Sequence, residues 1–161
     1  MNLGNAWVAL LSEIDAPSME NAIRCFENAL EVFTLEEAPL DRAITLNNLA
    51  VALRKNPDGD RAENFERAIS VEHAALEVHT RNDFPWFWGE DHQELGLTWL
   101  AYAELKTDPD AIREALETAV ECFKNTLEVW TEETYPHDFP TAEGALNRTR
   151  EWLETGEDPG E

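Results

Sequence analysis

The stretch Glu20–Thr34, ENAIRCFENALEVFT, occurs again as Glu66–Thr80, ERAISVEHAALEVHT, and as Glu117–Thr131, ETAVECFKNTLEVWT. The three align without a gap, and each carries Leu-Glu-Val, beginning at Leu30, Leu76 and Leu127. A proline follows nine residues after each of those leucines, at Pro39, Pro85 and Pro136, and a further leucine comes ten residues later, at Leu49, Leu95 and Leu146. Leu3 stands 46 residues before Leu49 and completes that series, whose spacings are 46, 46 and 51. Five extra residues therefore lie between Leu95 and Leu127. Two independent markers on one spacing establish an internal repeat.

Each repeat reads as two helices. Ala22, Cys25, Phe26, Ala29, Leu30 and Phe33 recur at intervals of three and four, the stripe of a helix packed on one side. Leu46, Leu49, Ala50 and Leu53 form a similar stripe in the first helix of the next repeat. Strand-like alternation is absent, and prolines 17, 39, 57, 85, 109, 136 and 140 punctuate the junctions, where a missing N–H costs least. Asp60 with Glu63, and Asp108 before Pro109, supply cap chemistry, and Asn56-Pro57-Asp58-Gly59 is a turn. These signals predict helices near 2–14, 18–36, 40–55, 60–82, 86–106, 109–134 and 140–155, with the third repeat's second helix taking up part of the insertion. One helix pair cannot bury its apolar face alone, so neighbours must stack. Small residues at one first-helix position, Gly4, Ala50 and Gly96, predict close helix approach. The expected fold is all-α: an α-solenoid of about seven antiparallel helices, three pairs and a polar C-terminal capping helix. It forms a single domain over 1–155, with repeats at 1–38, 39–84 and 85–135, the cap at 136–155 and a disordered acidic tail at 156–161.

Acidic residues number 34 against 12 lysines and arginines, giving a net charge of −22. That surface repels phosphate backbones and anionic lipid heads, so neither nucleic acid nor membrane is an expected partner. A basic or neutral protein or peptide is favoured. No apolar run reaches the roughly 20 residues that span a bilayer, and the amino terminus lacks a secretion-signal pattern. A cytoplasmic location is the expectation.

The segment Thr45–Val51, TLNNLAV, followed by a second helix ending in Ala-Leu-Glu-Val, resembles the long tetratricopeptide repeats of kinesin light chains. It is also similar to bacterial arrays attached to signalling and protease domains. The resemblance runs from Leu3 to about Leu153. It implies a concave groove lined by first helices that holds a peptide or a partner's helix. Carried over position by position, the groove residues are Asn2, Asn5 and Val8, then Asn47, Asn48, Val51 and Arg54, then Gln93, Glu94, Leu97 and Leu100. Asparagine suits such a groove because its amide both donates and accepts. Glu72 departs from the pattern by replacing the aromatic that Phe26 and Phe123 supply, and His92 and Glu143 replace apolar residues. The basic clamp that binds acidic tails in similar proteins has only Arg54 and Lys55 to draw on here.

Catalytic signatures are absent: no Gly-x-Gly-x-x-Gly, no phosphate loop and no Gly-x-Ser-x-Gly. Cys25 and Cys122 are equivalent positions two repeats apart, too far for a disulfide, and read as small buried hydrophobes. His73, His79, His92 and His137 have no zinc-ligand spacing. No enzyme activity, metal or cofactor is expected. Phe84-Pro85-Trp86-Phe87-Trp88, with Trp99 and Tyr102, reads either as a contact surface or as rings filling the wedge between the second and third repeats, one of them exposed. The functional expectation is a protein–protein interaction scaffold. The alternatives are a structural or regulatory segment of a larger signalling protein and, more remotely, an enzyme.

Overall fold

The computed structural model describes residues 16–159. No strand occurs among them, and six helices pack against one another in two compact units that divide between Val78 and His79. The first unit contains α1 (Ala16–Val32), α2 (Pro39–Lys55) and α3 (Arg61–Leu76), with α2 packed against both others. The second contains α4 (Pro85–Ala103), α5 (Pro109–Val129) and α6 (Phe139–Thr155). There α5 packs on both neighbours, while α4 and α6 meet only sparingly. The expected helix at 2–14, with Leu3 and Gly4, lies outside the described residues.

Starts agree with the sequence signals, as do the ends at Lys55 and Thr155, whereas the other four helices end earlier than expected. Pro39, Pro85, Pro109 and Pro140 all sit in the first turn of a helix. The Asp60 side chain accepts from the N–H groups of Ala62 (2.8 Å) and Glu63 (3.2 Å), and Asp108 accepts from Ala111 (3.3 Å). The second helices stop at Val32, Leu76 and Val129 rather than at 36, 82 and 134. An aligned threonine causes this in every repeat. The hydroxyls of Thr34, Thr80 and Thr131 accept from the N–H three residues on, in Glu37, Asp83 and Thr134 (3.1, 3.2 and 3.1 Å). Their carbonyls accept from Ala38, Phe84 and Tyr135, closing one isolated turn that hands the chain to the next helix. The insertion is split: α4 runs two residues past the end that its alignment with α2 gives, and α5 starts three residues before the start given by α3.

Each unit has its own core. In the first, Met19 and Ile23 pack with Leu49, Leu53 and Ala68, and Ala43 and Leu46 with Ala75 and Val78. Arg42 donates to the carbonyls of Leu30 (3.2 Å) and Phe33 (3.0 Å), satisfying the open end of α1. In the second, Val120 and Phe123 pack with Ala145 and Leu146, and Ala103 with Leu116 and Trp152. The close approach expected at Gly96 is present: a Cβ there would lie 2.6 Å from the Phe123 ring. One of the two cysteines departs from expectation. Cys122 is buried, but Cys25 is exposed, because α1 turns Ala22, Ile23 and Phe26 toward α2 and leaves Cys25 on its flank.

Candidate functional site

The residues expected to line a groove fall into three groups. Asn2, Asn5 and Val8 lie outside the described residues. On α2 of the first unit, Asn47 and Asn48 are half-buried, but Val51 belongs to the core. A helix sandwiched between two others buries more than one stripe, and Val51 is on the second of them. Arg54 is not a free groove cation either: its Nε lies 3.9 Å from the buried Glu72 carboxylate. On α4 of the second unit, Gln93 shares the stripe of Gly89 and Gly96, whose empty side-chain positions are filled by Trp130 and Phe123. Gln93 is therefore buried against α5, and its Oε1 has no hydrogen-bond partner among the described residues. Glu94, Leu97 and Leu100 remain on a more open face.

That face borders a cavity of about 420 Å³ between α4 and α6. Leu97, Leu100 and Ala101 of α4 with Trp152 of α6 make an apolar lining, and Glu104 and Arg148 stand at its edges. The cavity exists because both helices pack on α5 and hardly touch each other. Followed toward its N-terminus, the same α4 stripe passes from Leu97 to Glu94 and Glu90, three and seven residues earlier. Glu90 is half-buried, and burial first, then the charges of Asp91, Glu94 and Asp138, push its carboxyl up to about 8. Asp138 caps α6, so acidic groups from two helices come together around Glu90. An apolar lining bordered on one side by concentrated negative charge is suited to a ligand with an apolar anchor and a nearby cation. Sequence reasoning reached Glu94, Leu97 and Leu100 but missed Glu90, which lies a full helical turn before Glu94 on the same stripe. It also missed Trp152, whose part depends on α6 lying beside α4.

The first unit has a polar cleft of about 580 Å³ between α1 and the start of α3, lined in part by Glu20, Arg24, Asp58 and Asp60. Arg67 and Glu27 pair across it at 2.6 Å. Among the described residues, no group of three or more His, Cys, Asp or Glu side chains is placed to hold a metal.

The aromatic stretch pins the connection that enters α4. His79 Nδ1 lies 2.8 Å from Asp91 Oδ2, with both side chains buried. Phe87 stacks on the imidazole at 4.8 Å, and Phe84 meets it edge-on at 5.8 Å. Trp86 stacks on Trp130 at 6.0 Å, and Trp88 meets His92 at 4.4 Å. Phe87 keeps an exposed edge. The alignment hinted at this pair, since His79 occupies the aromatic position of Phe33 and Trp130, but nothing in the spacing tied it to Asp91.

The chain matches no family model, no curated protein and no solved structure. Among the described residues, no helix is long and apolar enough to cross a membrane.

Proposed function

We propose that the chain is a protein-interaction module of the tetratricopeptide kind, its helix pairs stacked as an α-solenoid, and that it binds a basic, amphipathic peptide or helix. The binding face we assign lies within the second unit, along α4 and α6. One observation carries this assignment: Glu90, Glu94, Leu97 and Ala101 form a single stripe on α4, and its apolar half lines a cavity closed on the other side by Trp152. A ligand helix with leucines at three- and four-residue spacing would seat them against Leu97, Leu100 and Trp152. Its lysines would then lie toward Glu94 and Asp138. Desolvating the apolar contacts supplies affinity, and the carboxylates supply orientation and speed of encounter. The internal repeat and the resemblance at Thr45–Val51 support the same function.

The test is a fluorescein-labelled helical peptide of lysines and leucines titrated into the full chain. Leu97→Asp should weaken binding at least tenfold, which is about 1.4 kcal/mol, while Asn47→Ala with Asn48→Ala should leave it unchanged. Equal binding by Leu97→Asp and the parent chain would defeat the assignment to the second unit.

A further inference from the structure

The C-terminal residues fold back in a defined way. At the end of α6, Gly156 takes a left-handed conformation, φ 74°, and its N–H donates to the Trp152 carbonyl at 2.9 Å. A side chain at that φ would be strained, so the glycine is what permits the reversal. Thr155 fixes the next step, since its hydroxyl accepts from the Glu157 N–H (3.2 Å) and lies 3.1 Å from the Glu157 carbonyl. The reversed chain then sets Asp158 and Pro159 on the cavity lined by Leu97, Leu100 and Trp152. Trp152 and Arg148 lie four and eight residues before Gly156, on the face of α6 along which a reversed tail returns. Asp158 and Pro159 are themselves exposed to solvent on their outer side. A segment that borders an apolar cavity while remaining largely wet is held weakly enough to be displaced.

We infer that residues 156–159 act as a strap that occupies one end of the α4–α6 cavity and must leave before a ligand can fill it. This rests on the binding face assigned above. The strap contributes a proline and an acidic side chain to the lining that Arg148 also borders, so it covers the apolar end without neutralising the acidic one. A basic ligand is therefore still drawn to Glu94 and Asp138, and it displaces the strap when its apolar anchor arrives. The intrinsic affinity of the open cavity is reduced by the fraction of time the strap is closed.

The experiment compares three proteins: the full chain, the chain ended at Gly156, and the full-length double variant Asp158→Ala with Pro159→Gly. Each is labelled with 5-fluorotryptophan, and Trp152→Phe assigns the Trp152 line in the fluorine spectrum. The same lysine–leucine peptide serves as the binding probe, and circular dichroism checks that helix content is unchanged. The strap predicts that truncation shifts the Trp152 line and raises its solvent isotope shift, with peptide affinity rising roughly three- to tenfold. The double variant should move in the same direction by less. A Trp152 line that does not respond to truncation overturns the strap, whatever the peptide does. Equal peptide affinity in all three proteins overturns it too, while leaving the binding face intact. Binding by none of them removes both.

Discussion

Arg54 and Glu72 stand where the third repeat has Leu100 and Phe123, so a charged pair replaces a hydrophobic one at the same helix interface. Glu72 is 1% exposed and Arg54 16%. A carboxylate taken that far from water is tolerable only beside its cation, and removing one partner strands the other. Arg54→Leu alone should therefore cost about 3 kcal/mol in urea unfolding, whereas Arg54→Leu with Glu72→Phe should be neutral or stabilising. A single variant as stable as the parent would show that the pair contributes nothing to the interface. Glu90 gives a second test, through pH. Its carboxyl titrates near 8 in the folded chain against a usual 4.5, so between those values the folded state keeps a proton that the unfolded chain has released. Stability from this group is fully present below the lower value and is lost as pH rises through the upper one. Glu90→Gln should therefore raise the melting temperature most at pH 8.5 to 9 and least at pH 4.5, flattening the profile. Parallel profiles for the two proteins would contradict a buried, protonated Glu90.

At the scale of the helix pair, the tightest constraint is the absence of a side chain at Gly96. A methyl group there would stand 2.6 Å from Phe123, a ring with no exposed surface. Helix propensity alone favours alanine over glycine by about 1 kcal/mol, but overpacking a filled core costs about 1–3 kcal/mol. Gly96→Ala should thus destabilise the chain in urea, and adding Phe123→Leu should recover part of the loss; a stabilised Gly96→Ala would mean that the helices are free to move apart. This position was legible in the sequence, because the alignment put Gly4, Ala50 and Gly96 in one column. The ends of the second helices were not. The apolar stripe runs on through Phe33, Val78 and Trp130, so periodicity extends each second helix past the threonine that stops it. A hydroxyl capturing an N–H three residues on leaves no trace in a hydrophobic pattern. The five-residue insertion was placed between the right leucines, yet only the backbone reveals that it divides between the end of α4 and the start of α5.

For the molecule as a whole, the assigned face is confined to one of the two units, and so are its supporting cores. A fragment spanning residues 79–161 should stay helical by circular dichroism and keep the lysine–leucine peptide affinity within about threefold. An unfolded fragment would show that the second unit depends on residues before it. That unit also carries well over half of the chain's 34 acids. Peptide binding should accordingly weaken about tenfold or more between 50 and 500 mM salt, mostly through slower association. Salt-independent binding would leave the apolar lining as the sole source of affinity. The proposed basic character of the partner rests on composition, which is read from the sequence directly. The cavity was not legible, because it is the gap between two helices that share a third, and such a gap belongs to no single stretch of sequence.

The buried His79 imidazole has one further consequence. A carboxylate only accepts, so the proton between His79 Nδ1 and Asp91 Oδ2 resides on the ring, and neither side chain is more than 1% exposed. Exchange with solvent then waits for the surrounding structure to open. That proton should give a separate downfield nuclear magnetic resonance line, and the rate at which the line fades in heavy water would time how often the entrance to α4 comes apart.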